Sequence, residues 1–273
     1  NELPLRILVG HKGIGKSALF KIAQEEDRSR KVLTVSIQPN DLRGIASKQG
    51  AFLDLIHDWT EGITAIVARK ALGAFGLGET DFVSGLKRFG GQVADFLVET
   101  FKEKAGVALT EAQRRVLQQF LATRNISVYI DDLDRGWEGQ RGDITRISAL
   151  LNAVRDICNS TRGIRFRVAL RSDVYFLVRT SDESTDKLES AVVWQSYSNH
   201  EILCLLVKRI ETFFGREPDE GHLLSLPQPT LASYLDPVML PRFDGLGHWR
   251  NAPTYRILMS LIRKRPRDLV KLC

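Results

Sequence analysis

The sequence predicts an α/β protein, with a doubly wound parallel sheet and a smaller helical domain after it. Short apolar runs rich in β-branched residues alternate with helix-like apolar patterns as far as Trp194, and this order places helices on the faces of a parallel sheet. After Asn199 the pattern is helical to the end of the chain. A glycine-rich turn joins the first apolar run to the first helical pattern.

The predicted elements follow in order along the chain. The strands are Leu5–Val9, Val32–Ile37, Ile126–Ile130, Phe166–Leu170 and a shorter run at Ala191–Trp194. The first helical pattern begins near Ser17, and two more span 45–75 and 82–101. A fourth opens with a capping box at Thr110–Gln113 and runs to 123, and a fifth begins near Asp143. The pattern therefore predicts a helical insertion, residues 45–125, between the second and third strands.

The composition is that of an ordinary globular protein. The 273 residues have room for one large α/β domain or two modest ones, and 43% hydrophobic with 26% charged residues argues against disorder. The net charge of +6 permits phosphate-bearing partners without demanding a nucleic acid. Arg69 and Lys70 interrupt the most apolar stretch, 62–77, well short of the ~20 residues that cross a membrane. We expect no membrane partner.

The cysteines and histidines show no metal-ligand spacing. Cys158, Cys204 and Cys273 are far apart, and neither a C-x-x-C nor an H-E-x-x-H pattern occurs. This argues against a disulfide scaffold and a zinc site and favours a cytoplasmic location. Because no signal peptide opens the chain and its first residue is Asn1 rather than Met, we expect it to be a cytoplasmic fragment of a longer protein.

Residues 10–17, GHKGIGKS, carry the most specific pattern, because they fit G-x-x-x-x-G-K-[ST] in full. In this motif the glycines let backbone N–H groups curl around a β-phosphate, and the N-terminus of the following helix adds a favourable dipole. Lys16 would reach the β- and γ-phosphates, and the Ser17 hydroxyl would bind Mg²⁺. The nucleotide-binding residues predicted here are Gly10, Lys12, Gly13, Ile14, Gly15, Lys16, Ser17 and Ala18.

An acidic pair follows the third strand, where the second half of a nucleotide site is expected. Asp131 would hold Mg²⁺ through water, opposite Ser17. Asp132 would orient and deprotonate the attacking water, although an isolated Asp-Asp pair is also typical of an exposed turn. Arg135 would either reach a phosphate of a neighbouring subunit or pair with Asp134 or Asp132.

Arg171 stands at the carboxyl end of the fourth strand, in the sequence LRSD. A polar residue at the tip of a strand beside the phosphate-binding strand faces the nucleotide crevice of such folds, so Arg171 would sense a γ-phosphate. The alternative is a surface arginine that ends a strand. No guanine-reading N/T-K-x-D motif occurs, which favours ATP over GTP.

These motifs together resemble the KAP and STAND-like P-loop ATPases of bacteria, which belong to the larger group that includes the AAA+ proteins. The resemblance lies in the loop 10–17, the DDLDR segment 131–135 and the strand end 170–173; the segments 186–188 and 265–269, with Trp194, are similar to a P-loop ATPase family of phage-defence contexts. It implies slow ATP hydrolysis with Mg²⁺ and a conformational switch, or an oligomer, that drives an attached effector. The expected domains are a P-loop NTPase core, 1–197, and a helical lid, 198–273.

Arg267 is the last predicted site residue. Pro266 stands where proline opens a helix, so Arg267 lies beside a positive helix N-terminus, which is unfavourable for a cation unless an anion is near. Pro266-Arg267 resembles the Pro-Arg pair that presents its arginine to the γ-phosphate at the start of an AAA+-type lid helix. The alternative is that Arg267 pairs with Asp268 or faces solvent.

Two other functions fit the same residues. A DNA-acting loader or initiator ATPase is favoured by the basic run Arg263–Arg265 with Arg267, although the remaining charge is dispersed and no helix-turn-helix can be recognised. A protein that holds nucleotide permanently, without turnover, is the other. The partners that we expect are further copies of the chain, an effector protein, or both.

Overall fold

The computed structural model divides the chain into two compact units, residues 1–9 with 17–193 and residues 10–16 with 194–273. It describes residues 3–30, 32–46, 50–74, 125–161, 163–181, 183–262 and 264–272. The helical patterns predicted at 82–101 and 110–123 lie outside these residues.

The first unit is built on a parallel sheet of five strands in the order β2-β3-β4-β1-β5. The strands are β1 (Leu5–Gly10), β2 (Leu33–Ile37), β3 (Ile126–Ile130), β4 (Ile164–Arg171) and β5 (Val192–Trp194). All five residues of β3 are buried, as expected of a strand covered on both faces. The parallel α/β sheet that the sequence predicts is therefore confirmed.

Helices pack against both faces of this sheet. The helices of the first unit are α1 (Lys16–Ser29), α2 (Phe52–Ala74), α3 (Arg141–Ser160) and α4 (Ser172–Ser181). On one face, Phe20 of α1 packs edge-on against Tyr129 of β3, with ring centroids 5.3 Å apart. On the other face, alternate strand residues such as Val128 and Val168 join the larger core with α2 and α3. Alternation along the strands thus supplies two apolar faces, each covered by helix.

The second unit is helical. Its helices are α5 (Asn199–Phe213), α6 (Glu220–Ser225), α7 (Gln228–Ser233), α8 (Thr254–Leu261) and α9 (Pro266–Leu272). Ser198 and Glu201 form a capping box that begins α5. Apolar residues of α5, α8 and α9, including Val207, Leu258 and Leu269, bury one another in a separate core. The helical character predicted after Asn199 is confirmed.

Among the described residues, no helix is long and apolar enough to cross a bilayer.

Candidate functional site

The loop at residues 10–17 leaves the carboxyl end of β1 and enters α1. Gly13 and Gly15 have φ angles of +86° and +108°, a region that favours glycine. Position 10 requires glycine because the chain packs closely there: a Cβ would stand 2.9 Å from the backbone carbonyl oxygen of Gln195. The Ile14 N–H donates to the His11 carbonyl at 3.2 Å, which closes the turn. The loop is therefore tightly curled, and the glycines of the motif are required for its shape.

Lys16 folds back over this loop. Its Nζ donates to the carbonyl oxygens of Gly10 at 2.8 Å and His11 at 3.2 Å. The ammonium group is only half-buried. The loop's own carbonyls therefore position this cation next to the loop.

One side chain and one backbone N–H of the second unit donate to the next carbonyls of the loop. The Gln195 side-chain amide Nε2 donates to the Ile14 carbonyl at 3.4 Å, and the backbone N–H of Arg267 donates to the Gly13 carbonyl at 3.4 Å. The Arg267 side chain also lies along Gly13, where a Cβ would come within 2.8 Å of Nε. The carbonyl oxygens of Gly13 and Ile14 therefore both accept hydrogen bonds from residues far along the chain.

Gln195 is the residue that sequence reasoning missed. It directly follows β5, and its contact with Ile14 joins residues that are 181 positions apart. The available signal was its place at the carboxyl end of a predicted strand, the same signal that singled out Asp131 and Arg171. Among the other predicted loop residues, Lys12, Ser17 and Ala18 are exposed, and Ser17 lies in the first turn of α1.

The acidic segment of the first unit begins where β3 ends. The Asp131 N–H donates to the Ile37 carbonyl of β2 at 3.4 Å, and the Asp132 N–H donates to the Asp131 carboxylate at 2.8 Å. Asp132 has a φ angle of +60°, which Asp tolerates better than most residues. Asp131 is half-buried and Asp132 is exposed. The two neighbouring carboxylates therefore differ in exposure and in hydrogen bonding.

Arg171 is held by two other carboxylates of the same unit. Its guanidinium bonds Asp173 at 3.0 and 2.5 Å and Asp134 at 3.3 Å. Partial burial acts to lower the pKa of Arg171, but the charges of Asp173 and Asp134 outweigh this effect and raise it. Register explains the contact: Val168 pairs with Ile130, so β4 continues three residues further and its tip lies level with the acidic segment.

Arg135 takes a different position. Its backbone N–H donates to the Asp132 carbonyl at 3.1 Å, and its side chain is exposed. Asp134, one of the partners proposed for it from the sequence, pairs with Arg171 instead. Within the described ranges, the Arg135 guanidinium makes no ion pair.

The candidate residues thus form two sets. Ser17, Asp131, Asp132 and Arg171 belong to the first unit, at or next to the carboxyl ends of its strands and the start of α1, whereas Lys16, Gln195 and Arg267 belong to the second. No group of three or more His, Cys, Asp or Glu side chains that could hold a metal ion occurs in the part of the chain that the structure describes. The expected Mg²⁺ ligands, one hydroxyl and one carboxylate, are the sparse set with which Mg²⁺ keeps water and phosphate oxygens.

No protein-family model, curated protein or solved structure matches this chain.

Proposed function

We propose that this protein is a Mg²⁺-dependent ATPase whose loop 10–17 binds the nucleotide phosphates. The observation that carries the proposal is the hydrogen bonding of the loop carbonyls. Gly10 and His11 accept from Lys16, Gly13 accepts from the Arg267 backbone, and Ile14 accepts from Gln195. A curled, glycine-dependent loop whose carbonyls are occupied by donors, set between a buried strand and a helix, suits the phosphates of a nucleotide.

The remaining residues supply the parts that phosphoryl transfer needs. ATP supplies the transferable phosphoryl group, and Mg²⁺ neutralises its charge when bound. The Ser17 hydroxyl and the Asp131 carboxylate would hold the metal, the latter through water. Asp132, exposed beside Asp131, would orient the attacking water and accept its proton. Arg171 would sense the γ-phosphate by exchanging a carboxylate partner for a phosphate oxygen.

The helical unit would act as a lid that responds to the nucleotide. Arg267 supports this role, because the first turn of α9 already contacts Gly13 through both the backbone and the side chain of this residue. Its guanidinium would contact the γ-phosphate and couple nucleotide state to the position of α9. In this proposal residues 1–197 form the ATPase core and 198–273 the lid.

The resemblance to KAP and STAND-like ATPases extends the proposal from chemistry to biological role. It supports a cytoplasmic conformational switch or oligomeric engine that drives an attached effector, in antiviral defence. Arg135 is exposed and forms no ion pair with the residues that the structure describes, which suits an oligomer, because an arginine of this kind can complete the site of a neighbouring copy.

Phosphate release by the purified protein tests the proposal. We expect slow, Mg²⁺-dependent hydrolysis of ATP by the wild type, and a fluorescent ATP analogue should bind in a Mg²⁺-dependent manner. Binding without phosphate release would favour the permanently loaded scaffold. Absence of both binding and release would contradict the assignment of residues 10–17 as a phosphate-binding loop.

A further inference from the structure

We propose that Gln195 is a positioning residue for the phosphate-binding loop, holding the Ile14 carbonyl outward so that the neighbouring backbone N–H groups face the phosphates. The inference rests on the proposed function and adds to it a residue that no motif of the sequence contains. Gln195 would not contact the nucleotide. Its effect on binding would pass through the backbone of the loop.

Hydrogen-bond accounting leads to this role. A backbone carbonyl removed from water needs a donor, and Ile14 is 2% exposed. The Gln195 amide Nε2 is the side-chain donor to the Ile14 carbonyl, at 3.4 Å. Without it, the peptide that joins Ile14 to Gly15 loses its outward partner and gains freedom to rotate. Rotation would turn a carbonyl towards the phosphates, where its partial negative charge opposes binding.

The other contacts of Gln195 show that its place is set by backbone packing. Its carbonyl oxygen lies 2.9 Å from where a Cβ of Gly10 would stand, and Nε2 lies 3.6 Å from the corresponding position of Gly15. Gln195 therefore lies against the first and last glycines of the motif. A side chain on either glycine would meet it.

The side-chain oxygen of Gln195, Oε1, indicates that this residue acts through its Nε2 donor rather than through packing alone. In the described part of the chain, Oε1 is buried and accepts no hydrogen bond. An unpaired buried acceptor is unfavourable, and a leucine of similar volume would avoid it. An amide in this place is explained by what its N–H does, which is to bond Ile14.

Three variants test the proposal. Gln195→Leu keeps the volume and removes the donor, whereas Gln195→Glu keeps the shape and replaces the donor with an acceptor. Gln228→Leu is the matched control, because Gln228 is a half-buried glutamine of the same unit, in the first turn of α7. Affinities for Mg²⁺-ATP and Mg²⁺-ADP are measured by titration with a fluorescent analogue and competition, and the melting temperature is measured without nucleotide.

We expect Gln195→Leu to weaken ATP and ADP binding equally, by about ten-fold, which corresponds to one lost hydrogen bond with its acceptor left buried. Gln195→Glu should bind both nucleotides more weakly still, although its shape is closer to that of glutamine. Gln228→Leu should bind like the wild type. The melting temperature without nucleotide should remain within a few degrees of the wild type for all three.

Two results would overturn the inference. If Gln195→Leu binds both nucleotides as the wild type does, the Ile14 contact has no positioning effect. If it loses affinity only in proportion to a fall in melting temperature, with Gln195→Glu intact, the residue is structural. Both results differ from the result expected if the proposed function is wrong, because the wild-type protein would then bind no nucleotide.

Discussion

Asp132 occupies a backbone conformation that decides how its proposed catalytic role can be tested. Asp132 has a φ angle of +60°, which alanine adopts at a cost and asparagine adopts readily. An Asp132→Ala variant would therefore change the backbone energy as well as remove the carboxylate. Asp132→Asn therefore removes the base alone. We expect ATP affinity to be retained and turnover to fall at least ~10²-fold in a phosphate-release assay. Unchanged turnover would show that another group activates the water.

Lys16 gives the second prediction at this scale. Because its ammonium group is fixed above the loop carbonyls, its removal takes away both a cation for the phosphates and a donor for Gly10 and His11. We expect Lys16→Ala to abolish tight binding of a fluorescent ATP analogue. Lys21→Ala is the matched control, since Lys21 is an exposed lysine of α1. Wild-type affinity in Lys16→Ala would exclude the loop as the phosphate site.

Single residues show clearly what a sequence can and cannot predict. The glycine-rich turn between β1 and α1 was predicted from local spacing, whereas its binding of phosphate stays a prediction. The partners of Arg171 could not, because they depend on the register of β3 against β4 and on how far β4 continues beyond it. Gln195 shows the same limit, since a contact across 181 positions leaves no local pattern.

Among the elements, the strands were predicted more closely than the helix ends. The run predicted at Ile126–Ile130 is β3 itself, because a strand buried on both faces is apolar throughout. Helix α1, by contrast, runs to Ser29, well beyond its apolar pattern. Its last turns are polar and exposed, so they carry no hydrophobic period, but the Tyr129 hydroxyl donates to Asp27 there at 2.7 Å.

The bond between Tyr129 and Asp27 ties α1 to β3 and can be measured. Burial, together with this bond, raises the pKa of Tyr129 above its usual value of 10.0. The contribution of the Tyr129 hydroxyl to the free energy of unfolding is therefore present in full below pH 10. It is lost as the pH rises further, because the unfolded chain then releases the proton more readily than the folded one. We expect Tyr129→Phe to lower the free energy of unfolding by about 1 kcal/mol at pH 7.

Urea unfolding at pH 7 and above pH 10 measures this difference. The gap between wild type and Tyr129→Phe should narrow at the higher pH. Tyr234→Phe is the control, because Tyr234 is a half-buried tyrosine of the helical unit. If the difference in unfolding free energy between wild type and Tyr129→Phe were the same at both pH values, the pKa of Tyr129 would not differ between the folded and unfolded states.

Helix α9 carries the prediction about nucleotide state. Its first turn contacts Gly13 through the Arg267 backbone and side chain, so the guanidinium is already beside the loop. We expect Arg267→Ala to bind ADP normally and to lose its preference for ATP over ADP, because the variant loses the proposed γ-phosphate contact and keeps the backbone hydrogen bond to Gly13. Lys271→Ala, in the exposed last turn of the same helix, is the control. An unchanged affinity ratio with unchanged turnover would make Arg267 an ordinary surface residue.

At the scale of the whole molecule, alternation of strand and helix patterns was sufficient to predict the class of fold. The division of the chain depends on more. Residues 10–16 lie between β1 and the body of α1 in sequence, yet they cluster with residues 194–273. Gln195 and Arg267, both distant from the loop along the chain, donate hydrogen bonds to it within this unit. Sequence patterns describe neighbours, whereas compact units are defined by such long-range contacts.

The assembly of several molecules is tested through Arg135, whose guanidinium is exposed while its neighbour Asp134 is bound to Arg171. If Arg135 completes the site of an adjacent copy, Arg135→Ala and Lys16→Ala should each be inactive alone. When the two variants are mixed, an Arg135→Ala molecule keeps its own Lys16 and receives an intact Arg135 from a neighbouring Lys16→Ala molecule.

Random mixing in equal amounts makes about one quarter of the interfaces functional, because each of the two requirements is met half the time. We therefore expect the mixture to recover roughly a quarter of wild-type turnover, and specific activity to rise with protein concentration. The control is Arg179→Ala in place of Arg135→Ala: Arg179 is an exposed arginine on α4 that pairs with Glu189, so this variant should be active alone. An absence of rescue at every ratio, in protein that sedimentation shows to be oligomeric, would place the action of Arg135 within its own chain.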